Sequence, residues 1–190
     1  MGPRASPKGV PSRALSIRSV RTRADLEAAR RLLREYRQFL AEDREVTNFD
    51  DSILKVGLGW LDEEIEELPG AYGPPGGSLL LAFSGRAAVG CGAIRRVRKN
   101  VAEIKRVYVR SDYRGAGIGR RLTQALLDRA ERLGYQRAVL DTLPTLTAAI
   151  DLYRRMGFVR IPAYWAHPVP DALFFEYRFR KTAKGTDRTG

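Results

Sequence analysis

A glycine-rich segment, RGAGIGRRL from Arg114 to Leu122, is the part of the sequence best suited to hold a ligand. Its glycines at 115, 117 and 119 lack side chains, so backbone amides can turn toward a bound group. The apolar residues that follow have helical spacing, and the amides that open a helix favour a phosphate. The segment therefore predicts a phosphate-binding turn between a strand and a helix.

Two common phosphate-binding motifs do not fit this turn. A P-loop ends in Gly-Lys-Ser/Thr, whereas this turn ends in Gly119-Arg120-Arg121 and offers no hydroxyl to magnesium. A dinucleotide fingerprint needs a glycine at its sixth position, where Arg120 stands when counting starts at Gly115. Asp141 ends a later predicted strand, as a ribose-binding acid would, but the strands before the turn have the pattern of antiparallel pairs.

The single histidine and the single cysteine are further candidates for chemistry. His167 lies in a predicted loop beside Tyr164 and Trp165, where it lines an acceptor pocket or has only a structural role. Cys91 lies among small residues in a predicted strand and is most simply a core residue. One cysteine forms neither an internal disulfide nor a multi-thiolate site, so we predict no metal and a reducing compartment.

The elements around these residues indicate a mixed α/β domain. Antiparallel strands come first, and a strand-helix-strand crossover follows the glycine turn. The predicted helices cover residues 23–40, capped by Thr22, then 54–68, 118–133 and 145–156. The predicted strands cover residues 14–20, 78–84, 87–97, 102–109, 136–142, 158–161 and 173–179.

Length and composition favour one domain. The chain has 190 residues, of which 44% are hydrophobic, enough for one core. We predict a domain over residues 14–180, a disordered tail at 1–13 and a loose tail at 181–190. No apolar run reaches the roughly 18 residues of a membrane span, and no signal-peptide core follows the first residues. We therefore expect a cytoplasmic protein without a membrane partner.

The charge of the chain is unevenly distributed. The formal net charge is +12, yet residues 41–70 contain ten acids and two bases, a local net charge of −8. A protein that binds only polyanions has no need of such an acidic region. The charge pattern thus favours two partners of opposite sign.

Arg114-Gly115-Ala116-Gly117-Ile118-Gly119 matches the R/Q-x-x-G-x-G/A motif, and the chain here resembles the GNAT superfamily of acyl-CoA-dependent N-acyltransferases. EIKRVYVRSDYRGAGIGRRL is similar to the fourth strand and third main helix of that family. TAAIDLYRRMGF is similar to its fourth helix. The resemblance covers roughly residues 17–180 and implies a mixed, mostly antiparallel central sheet flanked by helices.

By this resemblance, acetyl-CoA is the cosubstrate. Backbone amides of the turn would hold its pyrophosphate, and the edge of the fourth strand would pair with its pantetheine arm. The Val109 amide would stabilise the oxyanion that forms as an amine attacks the thioester. The implied cofactor-binding residues are Val107, Tyr108, Val109, Arg114, Gly115, Ala116, Gly117, Ile118, Gly119 and Arg120.

The resemblance also implies two catalytic residues. Tyr153 has the place of a tyrosine that gives a proton to the departing thiolate, although it also continues an apolar helix stripe. Glu103 has the place of a general base, and its alternative is a solvated glutamate paired with Lys105. Many relatives have an asparagine that contacts the cofactor where this chain has Leu146.

The implied activity is transfer of an acetyl group from acetyl-CoA to a primary amine by direct attack in a ternary complex. One alternative is transfer of a larger acyl group. Another is a non-catalytic nucleic-acid-binding module, for which the sequence has no motif and no interleaved aromatic and basic residues.

The expected acceptor is a small-molecule or peptide amine. The acidic region favours a cationic one, unless its acids merely solvate a helix. The fold often dimerises, so a homodimer is an expectation of the resemblance.

Overall fold

The computed structural model describes residues 15–42, 51–169 and 171–180 of the chain. The predicted tails and the segment 43–50 of the acidic region lie outside these residues. The strands are β1 Leu15–Ser19, β2 Ser78–Ser84, β3 Ala87–Arg98, β4 Val101–Val109, β5 Arg137–Thr142, β6 Val159–Ile161 and β7 Leu173–Arg178. The helices are α1 Arg23–Glu42, α2 Asp51–Glu66, α3 Ile118–Arg132 and α4 Thr147–Arg155.

The strands form one sheet in the order β1-β2-β3-β4-β5-β7-β6. Within the described residues every neighbouring pair is antiparallel except β4 and β5, which are joined through α3. The predicted mixed, mostly antiparallel sheet is therefore confirmed. The single parallel pair matters most, because parallel strands end at the same edge of the sheet.

Helices cover both faces of this sheet. Side chains alternate along β2, so Leu80 and Ala82 join the core under α3 and α4, whereas Leu79 and Leu81 join the core under α1 and α2. A strand buried on both faces carries an almost continuous apolar run, as SLLLAFS does.

The start of α1 confirms Thr22 as its capping residue. The backbone amide of Asp25 donates to Thr22 Oγ1 at 3.1 Å, and the Thr22 amide donates to Asp25 Oδ2 at 3.2 Å. Arg18 holds the same carboxylate with contacts of 2.6 and 2.8 Å. The Arg18 hydrogen bonds and those from the backbone keep the pKa of Asp25 well below its usual range.

The predicted helix boundaries differ from the observed ones by up to three residues, and α2 covers 51–66 rather than 54–68. α4 begins at Thr147 rather than at Thr145, because the residues before it form a turn in which the Leu146 amide donates to Leu143 O at 3.1 Å. Among the described residues no helix is both long enough and apolar enough to cross a membrane.

Candidate active site

β4 and β5 separate toward their carboxyl ends and open a cavity. Their last paired residues are Glu103 and Val139. Beyond that pair, the rest of β4 and the segment Asp141–Leu143 line a cavity of about 400 Å³. A gap between two parallel strands leaves backbone groups of both without strand partners, so it can accept another extended chain.

A β-bulge in β4 accompanies this separation. The three β3 residues from Cys91 to Ala93 lie opposite the four β4 residues from Lys105 to Tyr108. Arg106, inside the bulge, has φ 60°, a left-handed conformation that costs energy in a residue with a side chain. Its guanidinium makes two contacts with Glu64 of α2, at 2.7 and 2.9 Å, which fix the bulge to that helix.

The backbone at the end of β4 faces the gap at alternate residues. The Arg110 amide donates to Val89 O of β3 at 3.0 Å. Because backbone groups alternate in direction along a strand, the amide of Val109 points away from β3 and toward the gap. The Val109 carbonyl faces the same way, since it accepts a hydrogen bond from Arg114 Nε at 3.0 Å.

The glycine turn follows β4, and Arg114 is its one residue in the cavity lining. Gly115 and Gly117 have φ values of 81° and 75°, which favour glycine over every other residue. A Cβ atom on either would meet nothing within 4 Å, so the space in front of the turn is open. The first helical bond of α3 runs from Arg121 N to Gly117 O at 3.1 Å, and the amides before it have no carbonyl partner within the helix.

The three arginines of the turn differ in position. Arg114 lines the cavity, with its guanidinium carbon 4.5 Å from the ring centre of Phe39. Arg120 is exposed. Arg121 donates to Leu15 O at 3.2 Å and so stabilises the start of β1 instead of facing the cavity.

Tyr153 is both a core residue and a lining residue of the cavity. Its side chain is 7% exposed and packs 5.5 Å from the ring of Phe158. The hydroxyl has no hydrogen-bond partner among the described residues. Burial raises the pKa of Tyr153 above its usual range, so the phenol keeps its proton at neutral pH.

Glu103 does not line the cavity. It is 1% exposed, and its two oxygens accept from Arg95 Nε at 2.6 Å and from the Tyr164 hydroxyl at 2.7 Å. The interpretation of Glu103 as a solvated residue is therefore wrong, while its role as base stays a prediction. Its route to the cavity runs through Tyr164, whose hydroxyl is 3.4 Å from Asp141 Oδ1.

Asp141 is the centre of a charged cluster that the sequence did not reveal. Its carboxylate lies 3.0 Å from Lys105 Nζ and 3.4 Å from His167 Nε2, and all three residues line the cavity. Burial alone would raise the pKa of Asp141, but His167 and Lys105 outweigh it and hold the pKa below its usual range. His167 therefore lines this cavity, while its place in an acceptor pocket stays a prediction.

None of the acids described on α2 lines the cavity. The cavity-lining residues of this helix are Gly57, Leu58, Trp60 and Leu61, none of them charged. Three of the helix's acids form ion pairs, which are Arg37–Asp62 at 2.6 Å, Arg34–Glu66 at 3.0 Å and Arg106–Glu64 at 2.7 Å. Within the described residues, no group of three potential ligands could hold a metal ion.

Comparison with known families agrees with this geometry. The family model "Acetyltransferase (GNAT) family" matches residues 26–158. The chain is 32% identical over 169 residues to an uncharacterised N-acetyltransferase of Schizosaccharomyces pombe, covering 88% of this chain and 96% of that protein. The chain therefore belongs to the GNAT acetyltransferase family.

Solved structures show the same fold at lower identity. The PaiA N-acetyltransferase of Thermoplasma acidophilum, in complex with coenzyme A, has a TM-score of 0.67 at 16% identity and covers 87% of this chain and 99% of its own. YncA from Salmonella typhimurium, with its cofactor acetyl-CoA, has a TM-score of 0.62 at 20% identity, with coverage of 92% and 99%.

Proposed function

We propose that the protein transfers the acetyl group of acetyl-CoA to a primary amine by direct attack in a ternary complex. The observation that carries this proposal is the gap between β4 and β5, together with the glycine turn that follows β4, whose helix-opening amides have no carbonyl partner within the helix. An extended arm that ends in a pyrophosphate suits both features. Two structural neighbours bound to coenzyme A or acetyl-CoA support this choice of cosubstrate.

The backbone supplies most of the binding of the cosubstrate. The amides of the turn would donate to the pyrophosphate, because they are oriented together and lack helical partners. Val107, Tyr108 and Val109 would lie along the pantetheine arm as a neighbouring strand does. The pyrophosphate residues are Arg114, Gly115, Ala116, Gly117, Ile118, Gly119 and Arg120.

The chemical step forms one bond and breaks one bond. The amine nitrogen attacks the thioester carbonyl, and the Val109 amide stabilises the negative charge on the carbonyl oxygen. When the C–S bond breaks, the hydroxyl of Tyr153 gives its proton to the sulfur, which leaves as a thiol. The raised pKa of Tyr153 keeps this proton available at neutral pH.

The attacking nitrogen must also lose a proton. We propose Glu103 as its final acceptor, reached through the hydroxyl of Tyr164 and the cavity-lining carboxylate of Asp141. The Tyr164 hydroxyl donates to Glu103 at 2.7 Å and lies 3.4 Å from Asp141. Asp141 would take the proton from the amine and pass it to the Tyr164 oxygen, and the hydroxyl would release its own proton to Glu103. Glu103 then acts without contact with the substrate.

Acyl transfer to a panel of amines tests this proposal. Purified protein is mixed with acetyl-CoA or succinyl-CoA and each amine, and free thiol and acylated amine are both quantified. We expect thiol and acetylated amine to form in equal amounts, with little thiol when the amine is omitted. Thiol release that does not depend on the amine, or faster transfer of succinyl groups, would contradict the proposal. Native mass spectrometry of the same sample tests the expected homodimer.

A further inference from the structure

Two tryptophans and a histidine form one wall of the cavity. Trp165 lies 6.3 Å from Trp60 and 4.8 Å from His167 between ring centres. We call Trp60, Trp165 and His167 the tryptophan wall. It is built from α2 and from the loop before β7, so it is separate in sequence from the glycine turn and from β4.

Trp60 remains partly exposed although it lines the cavity. It is 46% exposed, and Val56, one helical turn earlier, is 44% exposed. Both are among the few large apolar side chains that are strongly exposed in the described structure. A large aromatic side chain that lines a cavity and stays exposed offers apolar surface that a ligand can cover.

Charge on the cavity lining argues against a polycationic ligand. Among the described residues, the only carboxylate in the lining is that of Asp141, which Lys105 and His167 already hold. The Arg106 charge is balanced by Glu64 outside the lining, and Arg114 has no acidic partner among the described residues. A second positive charge on the acceptor would therefore have no free counter-ion among the described lining residues.

We propose that the acceptor is a monoamine with an aromatic or bulky apolar body that packs against the tryptophan wall. This inference rests on the proposed function and names the substrate class of the same site. Burial of the acceptor's apolar body against Trp60 supplies binding energy, since aromatic side chains offer large contact area. The acceptor then needs only the charge of its one ammonium group. That charge disappears when the nitrogen loses a proton before it attacks the thioester.

Matched amines test the inference. The amines are 2-phenylethylamine, ethylamine, spermidine and aspartate, each with saturating acetyl-CoA. We expect kcat/KM for 2-phenylethylamine to exceed that for ethylamine by about tenfold or more, because the two differ only in the ring. Spermidine and aspartate should be poorer than 2-phenylethylamine. A higher kcat/KM for spermidine or for aspartate would overturn the inference.

Variants of Trp60 sharpen this test. Trp60→Ala should raise KM for 2-phenylethylamine about tenfold while leaving KM for ethylamine and for acetyl-CoA unchanged. Trp60→Phe should recover most of the loss. Val159→Ala, which truncates a residue that is 57% exposed and outside the cavity lining, is the control and should change none of these constants. Equal effects of Trp60→Ala on both amines would overturn the inference.

Binding without turnover separates this inference from the proposed function. If 2-phenylethylamine shifts the indole NMR signals of the protein but is never acetylated, the tryptophan wall binds aromatic monoamines and the proposed function is wrong. If acetyl-CoA raises the melting temperature and spermidine is the amine acetylated fastest, the proposed function stands and the inference is wrong.

Discussion

The glycine turn and the tryptophan wall recognise ligands by different means. At the turn, the recognition groups are backbone amides, whose directions follow from the φ values of Gly115 and Gly117 and from the start of α3. At the tryptophan wall, the recognition groups are side chains from α2 and from the loop before β7. These side chains meet only because the fold brings the two elements together.

This difference separates what is common to the family from what is particular to this chain. A backbone site depends little on neighbouring side chains, so it suits a cosubstrate shared by many enzymes. A side-chain site changes with single substitutions and therefore determines which amine enters. Mutations at the two regions should accordingly affect different kinetic constants.

The largest expected effect is at the turn. Gly117→Val places a β-branched residue at φ 75°, which forces the turn out of its conformation and misdirects its amides. We expect the rise in melting temperature that acetyl-CoA causes in the parent to disappear. Differential scanning fluorimetry with increasing acetyl-CoA measures this.

Gly134→Val is the matched control for that variant. Gly134 also has a left-handed conformation, with φ 83°, but it follows the last turn of α3, at the opposite end from the helix-opening amides. It should destabilise the protein and yet keep the acetyl-CoA shift. If the Gly117 variant keeps its shift, the phosphates are not held by the turn.

Tyr153→Phe should have the next largest effect. The variant preserves the packing against Phe158 and removes only the proton donor, so kcat should fall by about 10² to 10⁴ with little change in acetyl-CoA affinity. Single-turnover kinetics and a thermal-shift titration measure the two quantities. Equal kcat in parent and variant would show that the thiolate leaves without this proton.

Glu103→Gln should lower activity by up to about 10²-fold, most strongly below the pKa of the acceptor amine, where the nitrogen must lose a proton. Tyr164→Phe should give the same pH dependence, because it removes the link between Glu103 and the cavity. The pH profiles of kcat/KM measure both. Profiles parallel to that of the parent would exclude the proposed proton route and leave the Glu103–Arg95 pair a purely structural role.

The glycine turn could be predicted from sequence because its geometry is local. Glycines at fixed spacing between a strand and a helix determine the direction of the amides without any distant residue. The same holds for Thr22, which caps α1 from the adjacent residue. Strand boundaries were also predictable, because β2 and β3 contain apolar runs that join through the tight turn Gly85-Arg86.

The acceptor side could not be predicted in this way. The acids of α2 suggested a cationic acceptor, but pairs such as Arg37–Asp62 and Arg106–Glu64 join residues 25 and 42 positions apart. Sequence spacing does not reveal such partners. Trp60 and Trp165 likewise come into contact only in the fold, so neither was singled out as part of a site.

The smallest expected effect is that of a thiol reagent on Cys91. It is buried between the sheet and α1, and burial raises the pKa of its thiol to about 12. A raised thiol pKa means that the thiolate, on the order of 10⁻⁴ of the thiol at pH 8, is too scarce to react quickly. A thiol reagent should therefore titrate released coenzyme A without modifying the native protein, as intact-mass measurement would show. Rapid modification of Cys91 would contradict its burial.

The difference between the two regions is tested most directly by NMR mapping with coenzyme A and 2-phenylethylamine, which do not react together. The chain has two tryptophans, and both belong to the tryptophan wall. Their two indole signals therefore report on the wall, while the glycine amides report on the turn. Coenzyme A should shift the amides of Gly115, Gly117 and Gly119 and leave the indoles in place, and the amine should do the reverse. Indole shifts with coenzyme A but none at the glycines, or glycine shifts with the amine, would contradict the account.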